Sequence, residues 1–265
     1  MKRTSGQLKT MAKRALLGHY GVSCGGQLVS QLAIFVMYIP YYILSYVQMV
    51  SRALHMTGGP SVLGTALITA SLMTAGSILS YLLATLLTIF MAIGNMRICY
   101  RICTEGAAGL SDLLYPWKHH PFRFLGLYLL LTLFPVGASL VGMVVSVCLG
   151  GLIGGTVGFA TGMTGFVLCL AVGIVLMLNY TQALFVLVED PELQIGQCMG
   201  FSKALMRGNR WRFVKLWLSF TGIFLLGYVS LGIGFLWIAP YTCCTSVWFY
   251  LDLKGTPGVS WELEP

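Results

Sequence analysis

Charge is what this sequence has least of. Only 9% of its 265 residues are charged, whereas a water-soluble domain carries roughly a quarter. Acids are scarcer still, eight against sixteen Lys and Arg, and none has a paired histidine for acid–base work. No GxSxG, HExxH or P-loop pattern occurs, and no serine has a His/Asp partner at a plausible depth. These absences argue against an enzyme, and no cofactor is implied. A disulfide framework is missing too. The eight cysteines (24, 99, 103, 148, 169, 198, 243 and 244) fall mostly in apolar runs, where a thiol behaves as a small hydrophobe. The basic start, MKRTSGQLKTMAKRALLGH, lacks a short apolar core followed by a small-residue cleavage site and reads as retained. With no basic, aromatic-interleaved soluble module, nucleic acid is not an expected partner.

What the chain has is hydrocarbon. Apolar residues make up 57%, and several runs exceed the 18 or so residues that mark a membrane span. The fold class expected is all-α, a polytopic membrane helix bundle. Its organising stretch is residues 189–215, EDPELQIGQCMGFSKALMRGNRWRFVK, between the charge-free runs 124–188 and 216–251. It holds Lys203, Arg207, Arg210, Arg212 and Lys215 besides Glu189, Asp190 and Glu192. Such a segment is strongly disfavoured from crossing lipid, so it pins one side of the membrane.

Six spans follow, near residues 27–49, 62–94, 124–147, 165–187, 213–230 and 235–251. They form one membrane domain over 1–254, with a short tail at 255–265. The run 62–94 exceeds the roughly 20 residues a bilayer needs, so it is tilted, kinked near Gly76-Ser77, or partly laid on the outer surface. Three spans would fit 124–188 by length. They would put 189–215 opposite the N-terminus, so charge favours two. On this model Arg52 is the one cation of the sixteen on the far side. The positive-inside bias makes the other side cytoplasmic, with both termini inside the plasma membrane.

Two basic segments frame the bundle. Over residues 5–18, Leu8, Met11, Ala12, Ala15 and Leu16 share a helical face while Lys9, Lys13 and Arg14 lie elsewhere. That suits a short amphipathic helix on the headgroups, or else a frayed basic tail. Asp190-Pro191 reads as a turn and helix start, and downstream Ile195, Met199, Ser202 and Leu205/Met206 make an apolar stripe on a second interfacial helix. Lys9, Lys13, Arg14, Lys203, Arg207, Arg210, Arg212 and Lys215 are therefore candidate contacts for anionic headgroups or a membrane-protein partner. Related patterns, AKRALLGHYG, DLLYPWKHHPFRFLG and SKALMRGNRWRFVK, each precede an outgoing span. Three duplicated hairpin units or shared interface chemistry would each produce this echo. Trp117, Trp211 and Trp248 or Trp261 suit the inner aromatic belt, and Trp237 the outer one.

Gly150, Gly154, Gly158 and Gly162 recur every four residues. They would make a helix-packing or self-association seam, or a flexible outer loop. Asn179 and Gln182, with Gln27 and Gln31 of the first span, are candidate pathway residues or interhelical hydrogen-bond partners. No acid or cation lies firmly at mid-membrane, which argues against an ion-coupled carrier. Cys99 and Cys103 with His119-His120 could supply a tetrahedral zinc site, but their spacings are poor for one, and the vicinal pair Cys243-Cys244 lies mid-span.

A resemblance gathers in the second half. It runs from Glu189-Asp190-Pro191 through Ser202-Lys203-Ala204-Leu205-Met206, Gly208-Asn209 and Leu218-Ser219-Phe220. It continues in Leu231-Gly232-Ile233-Gly234, Pro240-Tyr241 and Phe249-Tyr250 with Asp252. Together these resemble a bacterial integral-membrane family known as domain of unknown function nine-seven-five. The match covers about residues 180–252, is looser at residues 110–114 and the basic N-terminus, and leaves the glycine-rich stretch 150–165 looking inserted. It implies a six-span bacterial plasma-membrane protein and brings no assigned activity or catalytic residue. The function expected is a non-enzymatic scaffold or membrane-organising role. The alternative is a transporter or permease subunit for a small or amphipathic solute.

Overall fold

The computed structural model describes residues 3–55 and 63–255, with side chains described for 3–50 and 73–255. The start of the expected second span, the Arg52 side chain, Trp261 and nearly all of the expected tail lie outside them. Among the described residues no strand occurs. The helices run α1 (Ser5–Leu16), α2 (Tyr20–His55) and α3 (Leu63–Thr104), then a 3-10 turn (Leu110–Leu114) and α4 (Tyr115–Lys118). They continue with α5 (Pro121–Ile153), α6 (Gly155–Tyr180), α7 (Ala183–Glu189), α8 (Ile195–Met206), α9 (Arg210–Leu218), α10 (Thr221–Val229) and α11 (Phe235–Lys254). Five segments are long and apolar enough to cross a membrane: Tyr20–Val50, Met73–Thr104, Pro121–Ile153, Gly155–Glu189 and Arg210–Val229. These mark a membrane protein. The sixth expected span, α11, is not among them; its twenty residues include Pro240, Asp252 and three hydroxyl side chains besides its tyrosines.

The short helices set the local pattern. Thr4 caps α1 through a capping box with Gln7, and Lys13 and Arg14 sit in its last turn, where the dipole favours cations. Helix α8 repeats the plan with Gln194 and Gln197. The two helices correspond residue by residue: buried positions 8, 12 and 16 match 198, 202 and 206. Their caps Leu17 and Arg207 share φ −61, with ψ of 119 and 117. A left-handed glycine follows each, Gly18 at φ 90 and Gly208 at φ 77. In the segment DLLYPWKHHPFRFLG the left-handed residue is His120, just before Pro121 opens α5.

The long helices differ from expectation in extent. Helix α3 runs ten residues past the apolar stretch to Thr104, because protein covers its end: Ile98, Cys99, Tyr100, Ile102 and Cys103 are all buried. Helices α5 and α6 consume nearly all of the glycine-rich stretch, and the corner needs only Gly154 and Gly155, at φ 68 and 59. The seam residues therefore face each other across an antiparallel pair. A Cβ on Gly158 would sit 2.5 Å from the Gly150 carbonyl, and one on Gly162 2.6 Å from that of Ser146.

Packing is concentrated at the charged end. Leu8, Ala12 and Leu16 of α1 join the inner ends of α3 and α5, helices α7 to α9, and Val247, Phe249 and Tyr250 of α11 in one core. Full burial of a leucine contributes about 1.5–3 kcal/mol, so the apolar face of α1 is held by protein. Outward from this core, α2 pairs with α3 and α5 with α6, and most of their remaining side chains are exposed as a lipid-facing surface would be.

Candidate functional site

The charged end spends its acids on structure. Arg101 pairs with Glu105 and Asp112, Glu192 takes Arg123 and His120, and Asp252 takes Arg212. Glu189 accepts from Lys254 and from the Tyr250 hydroxyl. Asp190 accepts the Glu192 amide at 3.1 Å, closing a turn. Each described acid thus has an assignment in the fold.

The candidate cations divide in two. Lys9 turns inward, donating to the Ser219 carbonyl at 2.8 Å and lying 4.3 Å over the Phe220 ring. Helix α9 breaks at Ser219, which frees that carbonyl; burial holds Lys9 below its ordinary pKa. Arg212 is also internal, bonded to Asp252 and the Arg3 carbonyl. Lys13, Arg14, Lys203, Arg207, Arg210 and Lys215 are exposed, and so is Trp211 among them.

The polar residues expected to line a pathway lie in different settings. The helix breaks between Tyr180 and Ala183, and Ser202 of α8 spans the break. Its hydroxyl donates to the Asn179 carbonyl at 2.8 Å and accepts from the Gln182 amide at 3.2 Å. Asn179 and Gln182 are buried in this joint, each with a side-chain carbonyl oxygen lacking a protein partner. Gln27 is half-buried on α2 and Gln31 is exposed. A cavity of ≈ 620 Å³ does exist, bounded by Met96, Tyr128, Pro135, Thr181, Trp217 and Thr242 among others. Its hydroxyls Thr132, Thr181, Thr242 and Ser246 all donate to carbonyls of their own helices, leaving mostly apolar walls.

The zinc arrangement is not assembled. His119 packs on Tyr115 with centroids 4.6 Å apart, and His120 faces Glu192. Among the described residues no group of three or more His, Cys, Asp or Glu is placed to hold a metal. What sequence reasoning missed is that Cys99 lies within hydrogen-bond reach of both Cys243 and Cys244, while the Cys103 sulfur is 3.9 Å from the Cys244 carbonyl. The four-residue spacing of Cys99 and Cys103 was the available signal. Cys198 on α8 stands apart, its thiol pushed up to about 11 by burial.

A family model described as "Protein of unknown function (DUF975)" matches residues 1–256. The chain belongs to this family. The match includes the glycine-rich corner, so that stretch lies within the family's extent. No curated protein and no solved structure matches the chain. DUF975 membership therefore brings no catalytic residue, and function rests on the geometry.

Proposed function

We propose that this DUF975 protein is a multi-pass protein of the bacterial plasma membrane, with its charged end cytoplasmic. It acts without chemistry of its own, as a scaffold or membrane organiser that gathers anionic lipid and a membrane-protein partner or a second copy of itself. The observation that carries the reading is the exposed set Lys13, Arg14, Lys203, Arg207, Arg210 and Lys215, fixed on helices docked to a packed core. Each cation near an anionic membrane surface is worth about 1 kcal/mol. The described acids are each engaged within the fold, which supports a role without chemistry.

The test is the lipid that stays with detergent-purified protein. Wild type should be enriched in phosphatidylglycerol over phosphatidylcholine after exchange into mixed micelles. Replacing Lys13, Arg14, Lys203, Arg207 and Lys215 by Gln should reduce that enrichment several-fold while the thermal transition is retained. Undiminished enrichment would remove the proposal. The cavity favours a second reading, a permease subunit for an amphipathic solute. Its walls replace Asn179, Gln182, Gln27 and Gln31 as the surfaces such a solute would meet, and saturable quenching of Trp217 by a brominated amphiphile would support it.

A further inference from the structure

The hairpin of α10 and α11 is short and apolar at its tip. A chain of contacts fixes where it leaves the charged end. Lys9 lies on Ser219 and Phe220, and the Phe220 ring meets Tyr241 edge-on at 5.7 Å. Trp217 and Thr242, two residues from Ser219 and one from Tyr241, share the cavity wall with Met96, Tyr128 and Thr181. These residues therefore define one depth across α3, α5, α6, α9 and α11.

Lengths measured from that depth are unequal. Helix α6 has 26 residues before Thr181, about 39 Å at 1.5 Å per residue. That is enough for a hydrocarbon core of roughly 30 Å. Helix α10 has nine residues, about 14 Å by the same rise. The segment Arg210–Val229 has the length of a span, but its first half is α9, with Arg210 and Lys215 exposed and Arg212 bonded to Asp252. The break at Ser219 separates that polar half from the apolar one.

The tip itself is built for lipid. Val229 is 81% exposed, Leu231 94% and Ile233 65%, side chains that water solvates poorly. Nothing in hydrocarbon can accept from a free backbone N–H, so a turn placed there must satisfy its own. This one does. The amides of Ser230, Leu231, Gly232 and Ile233 bond to the carbonyls of Leu226, Tyr228, Gly227 and Ser230. The Gly234 amide bonds to the Ser230 hydroxyl at 2.9 Å, and that hydroxyl donates to the Gly227 carbonyl. The amides of Phe235, Leu236, Trp237 and Ile238 bond back to Gly232, Ile233 and Gly234. Gly232 supplies φ 89, and Leu231 adopts φ 52 despite its side chain. At the α5–α6 corner, by contrast, the Gly155, Thr156 and Val157 amides open a helix, where first-turn N–H groups look to solvent.

We infer that α10 and α11 form a re-entrant hairpin that enters one leaflet and turns back, its tip at 230–234 solvated by acyl chains. The protein then crosses the membrane with α2, α3, α5 and α6 and places α10 and the first turns of α11 in the charged-side leaflet alone. This rests on the proposed embedding and deepens it. A one-leaflet wedge beside a lipid-gathering surface expands one half of the bilayer, which is a physical means of membrane organisation.

The experiment reads thiol labelling peptide by peptide. Leu231→Cys and, separately, Thr156→Cys are made in the full chain, reconstituted in phosphatidylglycerol-containing vesicles and opened so that both faces meet a charged maleimide. Thr156→Cys should label readily. Leu231→Cys should label at least tenfold more slowly until detergent is added, and Ile233→Cys serves should that variant fail to fold. Labelling of the tip within a few-fold of Thr156→Cys would overturn the inference and place Tyr228 and Trp237 at an outer interface. Tip labelling with phosphatidylglycerol enrichment intact sinks the wedge alone; a protected tip with no enrichment sinks the lipid-gathering reading alone.

Discussion

Ser202→Ala is the sharpest probe of how the charged end is held together. The hydroxyl is fully buried and serves two backbone groups that the break after Tyr180 leaves without helical partners, the Asn179 carbonyl and the Gln182 amide. The carbonyl in particular finds no substitute in the unpaired side-chain atoms beside it, because the Asn179 and Gln182 oxygens are themselves acceptors. Stranding a buried donor or acceptor costs about 1–3 kcal/mol, so the pair should cost roughly 2–5 kcal/mol. At about 2–4 °C per kcal/mol for a chain of this size, the melting temperature should fall by roughly 5–15 °C. Tryptophan fluorescence of the detergent-solubilised protein during heating measures it. Thr164→Ala is the control, since its hydroxyl bonds the Ala160 carbonyl on an exposed face. A Ser202→Ala transition within about 1 °C of wild type would refute the assignment of Ser202 as the bridge across the break.

Other outcomes follow from single contacts. A Cβ on Gly173 would meet Ala138 Cβ at 2.4 Å, and one on Gly162 the Ser146 carbonyl at 2.6 Å; Gly162→Ala and Gly173→Ala should each cost about 1–3 kcal/mol by overpacking, while Gly151→Ala, which meets nothing, should melt as wild type. Burial raises the Cys198 thiol to about 11 from the ordinary 9.0. Folding therefore favours the protonated thiol: its contribution is complete below about pH 9 and is lost as pH climbs toward 11. Cys198→Ala should show a shallower loss of melting temperature over that window, and wild-type Cys198 should resist iodoacetamide at pH 8 until the protein is unfolded.

Much of the arrangement was legible in the sequence because charge and hydropathy report directly on solvent. Helix α1 lies within the stretch its apolar stripe marked, and residues 189–215 hold the short α8 as expected. The destination of the stripe was not legible: Leu8, Ala12 and Leu16 suit headgroups and a protein groove equally, and only the fold shows α11 and α3 beside them. The break before Ala183 also escaped notice, since an apolar run carries no mark of where its helix is interrupted when the bridging group, Ser202, lies twenty residues away. Glycine periodicity drew attention to Gly158 and Gly162, where a Cβ would meet the facing backbone at 2.5 and 2.6 Å. It could not show that Gly154 turns the chain, leaving Gly150 on the opposite helix. The convergence of Cys99 with Cys243 and Cys244 depends on two helices far apart in sequence meeting, which no local pattern encodes.

The docking of α1 against α11 has a consequence for biogenesis. The earliest described helix finds its cover only when the last one arrives, with Asp252 receiving both Arg212 and the Arg3 amide. During synthesis Leu8 and Leu16 must wait without their final partner while every intervening segment is inserted, an interval in which exposed apolar surface invites chaperones, proteases or misassembly. Contact between α1 and α11 thus comes late in synthesis, and a copy interrupted before residue 235 would carry an open latch by which quality control could recognise it.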